Sequence, residues 1–209
     1  MTNALARDLY PAAYPQLEKF VHLLETDGVT RGLIGPNEGP RLWERHIVNC
    51  ALVEALVPVN GSVVDMGSGA GLPGLVLALV RPDITVSLVD TQARRVRFLT
   101  EAIEQLGLES RCTAVQGRFP EAWGAQVSPK VGAAVARGLA PLTDLVDLAW
   151  PAVCEGAELL AMKGQGAQAE IDQFLADRPD LAKKCHVELM FVGPAEVEPK
   201  AAVVCLRRG

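Results

Sequence analysis

Two carboxylates and four glycines carry the chemistry most legible in this chain. Val63-Val64-Asp65-Met66-Gly67-Ser68-Gly69-Ala70-Gly71-Leu72-Pro73-Gly74 opens as an apolar strand and breaks into a glycine turn before a short helix. A second apolar run then ends in an acid at Asp90. Glycine permits positive φ and close approach of a ligand to the backbone, and a helix N-terminus offers free N–H groups. A carboxylate at the tip of the following strand can accept both hydroxyls of a ribose, although the same acid also suits a helix start. Together these residues predict a nucleoside site.

Gly69-x-Gly71-x-x-Gly74 also satisfies the dinucleotide fingerprint, so the position of the acid matters. In a dinucleotide site the first glycine follows directly on the strand. Here Asp65 ends the strand, and next to a pyrophosphate it would be repelled. Asp65 can instead take a cofactor ammonium or the N–H groups of its own turn. S-adenosylmethionine has an ammonium and no phosphate, which makes it the expected cofactor.

Basic residues gather at the ends of the predicted elements. Arg41, Arg45 and His46 precede the first strand, Arg94, Arg95 and Arg97 follow Asp90, and Arg118, Arg137 and Lys163 stand at or just beyond strand ends. The three arginines after Asp90 oppose the dipole of their helix, which favours phosphate contact over a purely solvated face. Arg137 can hold a carboxylate or a phosphate bidentately, and Lys163 is a phosphate candidate on the same logic. Arg45 and His46 either orient RNA or cap their helix. His22 and His186 read as structural histidines.

These residues need a frame that brings the ends of several strands together. Strands are predicted at about 62–66, 85–89, 112–116, 131–136 and 157–162, with helices at about 73–80, 93–106, 142–154 and 167–176 between them. Val96, Leu99, Ile103 and Leu106 give one helix its buried face, and Leu142, Leu145, Val146 and Ala149 give another. Such alternation predicts an α/β fold with a mostly parallel sheet and helices on both faces. Two last runs, His186 to Val192 and Ala201 to Leu206, are joined by a turn-rich segment. Before the first strand, Leu17, Phe20, Val21 and Leu24 predict a helix stopping at Gly28, and Ile47, Ala51 and Ala55 a second ending near Pro58. Residues 1–58 are thus expected as an N-terminal helical appendage to a domain over 59–209, the whole being one folded unit.

At 209 residues, 49% of them hydrophobic, the chain can bury a substantial core. No apolar run approaches the roughly 20 residues of a membrane span, and the first residues lack a signal-peptide core, so a cytoplasmic protein is expected. The net charge of −5 argues against indiscriminate nucleic-acid coating and leaves a local basic rim on an acidic body. Cys50, Cys112, Cys154, Cys185 and Cys205 are scattered through apolar segments, which predicts reduced core thiols and no metal site.

Trp43-Glu44-Arg45-His46-Ile47, the Asp65 to Gly74 turn, Val89-Asp90 with Arg94-Arg95-Val96-Arg97-Phe98-Leu99, Ala136-Arg137-Gly138 and Met162-Lys163-Gly164 together resemble the bacterial small-subunit ribosomal RNA methyltransferase G family, also called glucose-inhibited division protein B. The resemblance covers nearly the whole chain. It implies a Rossmann-like class I S-adenosylmethionine-dependent methyltransferase fold with an antiparallel final strand, and methyl transfer to guanine N7 of 16S ribosomal RNA. It places the cofactor against Asp65, Gly67, Ser68, Gly69, Gly71, Leu72, Asp90, Phe119, Pro120 and Arg137, and the RNA against Arg45, His46, Arg94, Arg95, Arg97, Arg118 and Lys163. The chain departs from the family pattern at Val29-Thr30-Arg31, at Ala136-Arg137-Gly138 and at Arg118-Phe119-Pro120-Glu121, where Pro120 has no N–H to donate.

Guanine N7 carries an available lone pair, so no general base is expected, and no Cys-nucleophile or Asn-Pro-Pro-Tyr motif is present. The expected partner is 16S ribosomal RNA or the small ribosomal subunit, acted on by a monomer. Two other classes fit the glycine turn: an NAD-linked oxidoreductase and a non-catalytic nucleotide-binding regulator.

Overall fold

The computed structural model of the chain describes residues 2–195 and 197–209. Seven strands form one sheet: β1 Ser62–Met66, β2 Thr85–Asp90, β3 Cys112–Gln116, β4 Ala133–Arg137, β5 Glu158–Lys163, β6 Cys185–Val192 and β7 Ala201–Arg208. Their order is β3-β2-β1-β4-β5-β7-β6. The first five are parallel, and β7 inserts antiparallel between β5 and β6, with Leu159 opposite Leu206 and Met162 opposite Val203. The final strand is therefore antiparallel, as the resemblance implies.

The helices are α1 Thr2–Leu9, α2 Tyr14–Leu23, the short α3 Asn49–Ala51, α4 Gly74–Val80, α5 Ala93–Leu106, α6 Leu142–Cys154, α7 Ala167–Asp177 and α8 Pro179–Ala182. In α4 the sequence Gly-Leu-Val-Leu-Ala-Leu-Val is apolar all round, and its first six residues are buried. In α5 the apolar face is set by Phe98, Leu99, Ala102, Ile103 and Leu106, whereas Val96 is only half-buried; Gly107, at φ 66°, ends the helix.

One face of the sheet is covered by α4 and α5 together with the N-terminal helices, whose Leu17, Phe20, Leu24, Leu42 and Ile47 share a core with Leu75, Leu77 and Phe98. On the other face Leu142, Leu145 and Val146 of α6 pack with Ile171 and Phe174 of α7. Arg31, within one of the departures from the family pattern, ties the N-terminal segment to α5 through an ion pair with Glu101 at 2.5 Å.

Several expectations need correction. The first N-terminal helix continues past α2 as a wider π turn over Leu24–Gly28. The second is wound as a π turn over Leu42–Val48, then α3, then a 3₁₀ turn over Leu52–Leu56. Helix α1 was not foreseen. Of the cysteines, Cys50, Cys112 and Cys205 are buried, but Cys154 is exposed and Cys185 half-buried. Among the described residues no helix is long and apolar enough to cross a membrane.

The order of the parallel strands reverses between β1 and β4. A crevice forms outside the carboxyl ends of strands at such a switch point. The chain has put Asp65, Asp90 and Arg137 at the ends of β1, β2 and β4.

Candidate functional site

The turn after β1 is fastened to the end of β2. The N–H groups of Gly67 and Ser68 both donate to the Val89 carbonyl, at 2.9 and 3.0 Å, and the Gly69 N–H donates to Asp90 Oδ2 at 3.0 Å. Asp90 Oδ1 accepts from the Gln92 N–H at 2.9 Å, and Arg95 lies 3.2 Å from Oδ2. Of the two roles offered by the sequence, the acid faces a cleft; it fixes the turn leading into α5 but does not cap the helix, whose N-cap residue is Gln92. A carboxylate has about four acceptor positions, so three donors leave capacity for a hydroxyl.

That cleft has a volume of about 250 Å³ and is lined by Gly67, Asp90, Thr91, Arg95, Phe119 and Leu139, among others. Gly67 has φ 71°, which favours glycine, and a Cβ there would stand 2.6 Å from Cδ1 of the exposed Leu139 side chain, which would have to turn away. Phe119 is buried and packs against Trp123 with ring centroids 4.7 Å apart. Pro120 is exposed and is not part of the cleft wall. Gly71 and Leu72 are buried in the packing behind the turn.

Asp65 lies beneath the turn, fully buried. Its Oδ2 accepts the Gly74 N–H at 2.9 Å, while its backbone carbonyl accepts Ser68 Oγ at 3.0 Å. Of its two possible partners, the N–H groups of its own turn are therefore engaged. Oδ1 has no partner. Burial pushes the Asp65 carboxyl up to about 7 against the opposing Gly74 hydrogen bond. Asp65 lines neither cavity, so its charge acts on a ligand in the cleft through the turn above it and not by contact.

A second, larger cavity of about 980 Å³ meets the first at Gly138 and Leu139. It is bounded by Arg41, Arg45 and Asn49 from the N-terminal segment, by Arg137 and by Lys163. Arg137 does not point at the small cleft. It donates to His46 Nδ1 at 2.8 Å, to the Arg45 carbonyl at 3.3 Å and to Cys50 Sγ at 3.4 Å. Burial raises the Cys50 thiol to about 11, so this cysteine is a neutral packing group.

The basic residues divide into two sets. Arg94, Arg97 and Arg118 are exposed and have no ion-pair partner among the described residues. Arg95 is drawn into the cleft by Asp90, and Arg45 lies 3.5 Å from Glu38. Lys163, expected as a phosphate contact, has a side chain only 9% exposed; Nζ donates to Glu170 at 2.7 Å and to the Ala140 carbonyl at 2.8 Å. Glu170 also accepts the Leu142 N–H at 2.8 Å, so Lys163 and Glu170 together brace the loop from β4 to α6. Glu38 and Glu170 carried no local motif. Their importance follows from tertiary partners distant in sequence.

With this geometry in view, residues 13–193 match the family model described as rRNA small subunit methyltransferase G. A Ribosomal RNA small subunit methyltransferase G of Thermobifida fusca is 42% identical over 205 residues, covering 95% of this chain and 82% of that protein. One from Salinispora arenicola is 45% identical over 206 residues, covering 97% and 85% respectively. Among solved structures, a Streptococcus mutans protein crystallised in complex with SAH superposes with a TM-score of 0.51 at 16% identity, covering 78% of this chain and 96% of that one. That last likeness concerns the fold alone.

Proposed function

The chain belongs to the rRNA small subunit methyltransferase G family, and from that premise we propose that it uses S-adenosylmethionine to methylate N7 of a guanine in 16S ribosomal RNA. The observation that carries this reading is the junction of the two cavities at Gly138 and Leu139: a small cleft ending on the Asp90 carboxylate opens into a larger one bounded by Arg41, Arg45 and Arg137. A nucleoside fits the first, and a base on an anionic backbone fits the second.

S-adenosylmethionine supplies an electrophilic methyl group on a positively charged sulfur. Asp90 would hold the ribose hydroxyls, Phe119 the apolar side of the base, and the turn from Gly67 to Gly71 the remainder, with Asp65 fixing that turn from below. Guanine N7 needs no proton removed, so the chain's task is to hold the acceptor in line and keep water out, a proximity effect worth several kcal/mol. The target guanine must be accessible, which favours an unpaired loop. Residues 1–58 act as an appendage that completes the wall of the larger cavity, and the enzyme acts as a monomer on ribosomal RNA or the small subunit. Membership of a methyltransferase family removes the oxidoreductase reading.

Calorimetry tests the cofactor half. Asp90→Ala is expected to weaken S-adenosylmethionine binding at least about tenfold, in keeping with about 1.5–3 kcal/mol for hydrogen bonds to a charged group. Wild-type affinity in a folded variant would take Asp90 out of the site.

The exposed arginines test the RNA half. Replacing Arg94 and Arg97 together by alanine is expected to lower the slope of log affinity against log salt by about 1.4–1.8, since each phosphate contact contributes about 0.7–0.9. Cofactor affinity should not change. An unaltered slope would return both residues to solvated surface.

A further inference from the structure

Arg137 reaches the rim of the larger cavity only by way of the N-terminal segment. Among the described residues the three partners of its side chain all belong to that segment: the His46 imidazole, the Arg45 carbonyl and the Cys50 thiol. His46 is in turn gripped from its other side, where Nε2 lies 2.8 Å from Glu38 Oε2. Glu38, His46 and Arg137 therefore form a line of carboxylate, imidazole and guanidinium that joins the loop before residue 39 to the end of β4.

The chemistry of the three groups fixes the protons. A guanidinium can only donate, so Nδ1 of His46 must be the unprotonated nitrogen. Its proton is then on Nε2, where it is donated to Glu38. We propose that Glu38 and His46 act as positioning residues: Glu38 locks the neutral Nε2–H tautomer of His46, and the free Nδ1 lone pair holds the Arg137 guanidinium in place at the catalytic crevice. The proposal rests on the placement of Arg137 in that crevice.

A dependence on pH follows from this arrangement. A proton on Nδ1 would face the Arg137 N–H, and the contact would be lost. His46 is surrounded by Glu38 from the preceding loop, Arg45 from its own helical turn and Arg137 from β4, with Arg41 acting on Glu38. Burial holds the imidazole below its ordinary value, with the Glu38 hydrogen bond opposing and the two arginines adding to it. At neutral pH His46 is thus uncharged and Arg137 is held. As the pH falls below the usual imidazole value, His46 gains a proton and Arg137 is released.

The test compares single-turnover methylation of small subunits from a strain lacking this protein, across pH 5–8 and with S-adenosylmethionine and subunits saturating at every pH so that titration of Asp65 does not enter, by the wild-type chain and by His46→Ala, His46→Asn, Arg137→Ala and the double alanine variant. His46→Ala is expected to slow the reaction on the order of 10- to 100-fold, the effect of a misplaced group. His46→Asn, whose amide oxygen stands where Nδ1 was, should recover most of that rate and lose the acid limb. The double variant should be no slower than Arg137→Ala alone, because both act through one guanidinium. Multiplying effects, or an acid limb that survives in His46→Asn, would overturn the proposal. A wild-type rate in Arg137→Ala would instead remove the placement of Arg137 itself. Should the alanine variants not fold, nitrogen NMR of the wild-type imidazole decides: an Nε2–H tautomer at pH 7 is expected, and an Nδ1–H tautomer overturns the relay.

Discussion

Gly74→Ala is expected to destabilise the protein by about 3 kcal/mol or more, beyond the usual range for a surface change. A Cβ at this position would lie 2.3 Å from Leu88 Cδ2, 2.6 Å from Asp65 Oδ2 and 2.9 Å from Asp65 Cβ. None of these neighbours can yield cheaply. Leu88 is fully buried on β2 between β1 and β3, and Asp65 is fully buried at the end of β1. The same close approach lets the Gly74 N–H reach Asp65 at 2.9 Å, so the substitution also pulls apart the support of the turn. Chemical denaturation reads the loss directly. Gly164→Ala is the control, because nothing lies within 4 Å of the Cβ it would add, and it should stay within about 0.5 kcal/mol of wild type. Equal stability for the two variants would mean that α4 does not press on β1 as closely as described.

Asp65→Asn is expected to separate stability from function. Burial raises the folded carboxyl to about 7, against about 3.9 for an unhindered aspartate. Between these values the folded chain holds a proton that the unfolded chain has lost, so the contribution is full below about pH 4 and disappears as pH rises through about 7. The difference is on the order of 4 kcal/mol. Asparagine keeps an acceptor for the Gly74 N–H and cannot ionise. Its stability should therefore be flatter from pH 4 to 7 and higher than wild type at pH 8. A positively charged cofactor favours the ionised aspartate, so wild-type affinity for S-adenosylmethionine should rise with pH through about 7. In Asp65→Asn that rise should vanish and affinity at pH 8 fall about tenfold, or 1.4 kcal/mol. Unchanged affinity and unchanged pH dependence in the variant would leave Asp65 a purely structural acid.

The elements that carry the site were legible wherever a local pattern determines them. Strands β1 and β3 and helices α5 and α6 have the predicted bounds, because α5 and α6 bury residues at helical spacing and the two strands are short apolar runs bounded by turn residues. Asp65 and Asp90 fell at strand ends for the same reason. The N-terminal segment was less legible: its π and 3₁₀ windings over Leu24–Gly28, Leu42–Val48 and Leu52–Leu56 answer to packing against α4, α5 and the sheet, and no short motif records that.

Side-chain partnerships were the least legible part. Lys163 and Arg95 looked like free cations because Glu170 and Asp90 meet them only after folding. Arg137 stood at the expected strand end, yet its guanidinium turns to His46, a residue 91 positions earlier. A strand pattern predicts where a residue sits. It does not predict which group across the fold neutralises it.

The central claim is the transfer of a methyl group to guanine N7 of small-subunit RNA. It is tested most directly by incubating the purified chain with isotopically methyl-labelled S-adenosylmethionine and small subunits from a strain lacking this protein, then digesting the 16S RNA to nucleosides for mass analysis. The label should appear in one 7-methylguanosine per subunit, recognised by its fixed positive charge and alkali-labile glycosidic bond, and should be absent when the chain is omitted. Label in any other nucleoside, or none in RNA from a chain that binds the cofactor, would contradict the account.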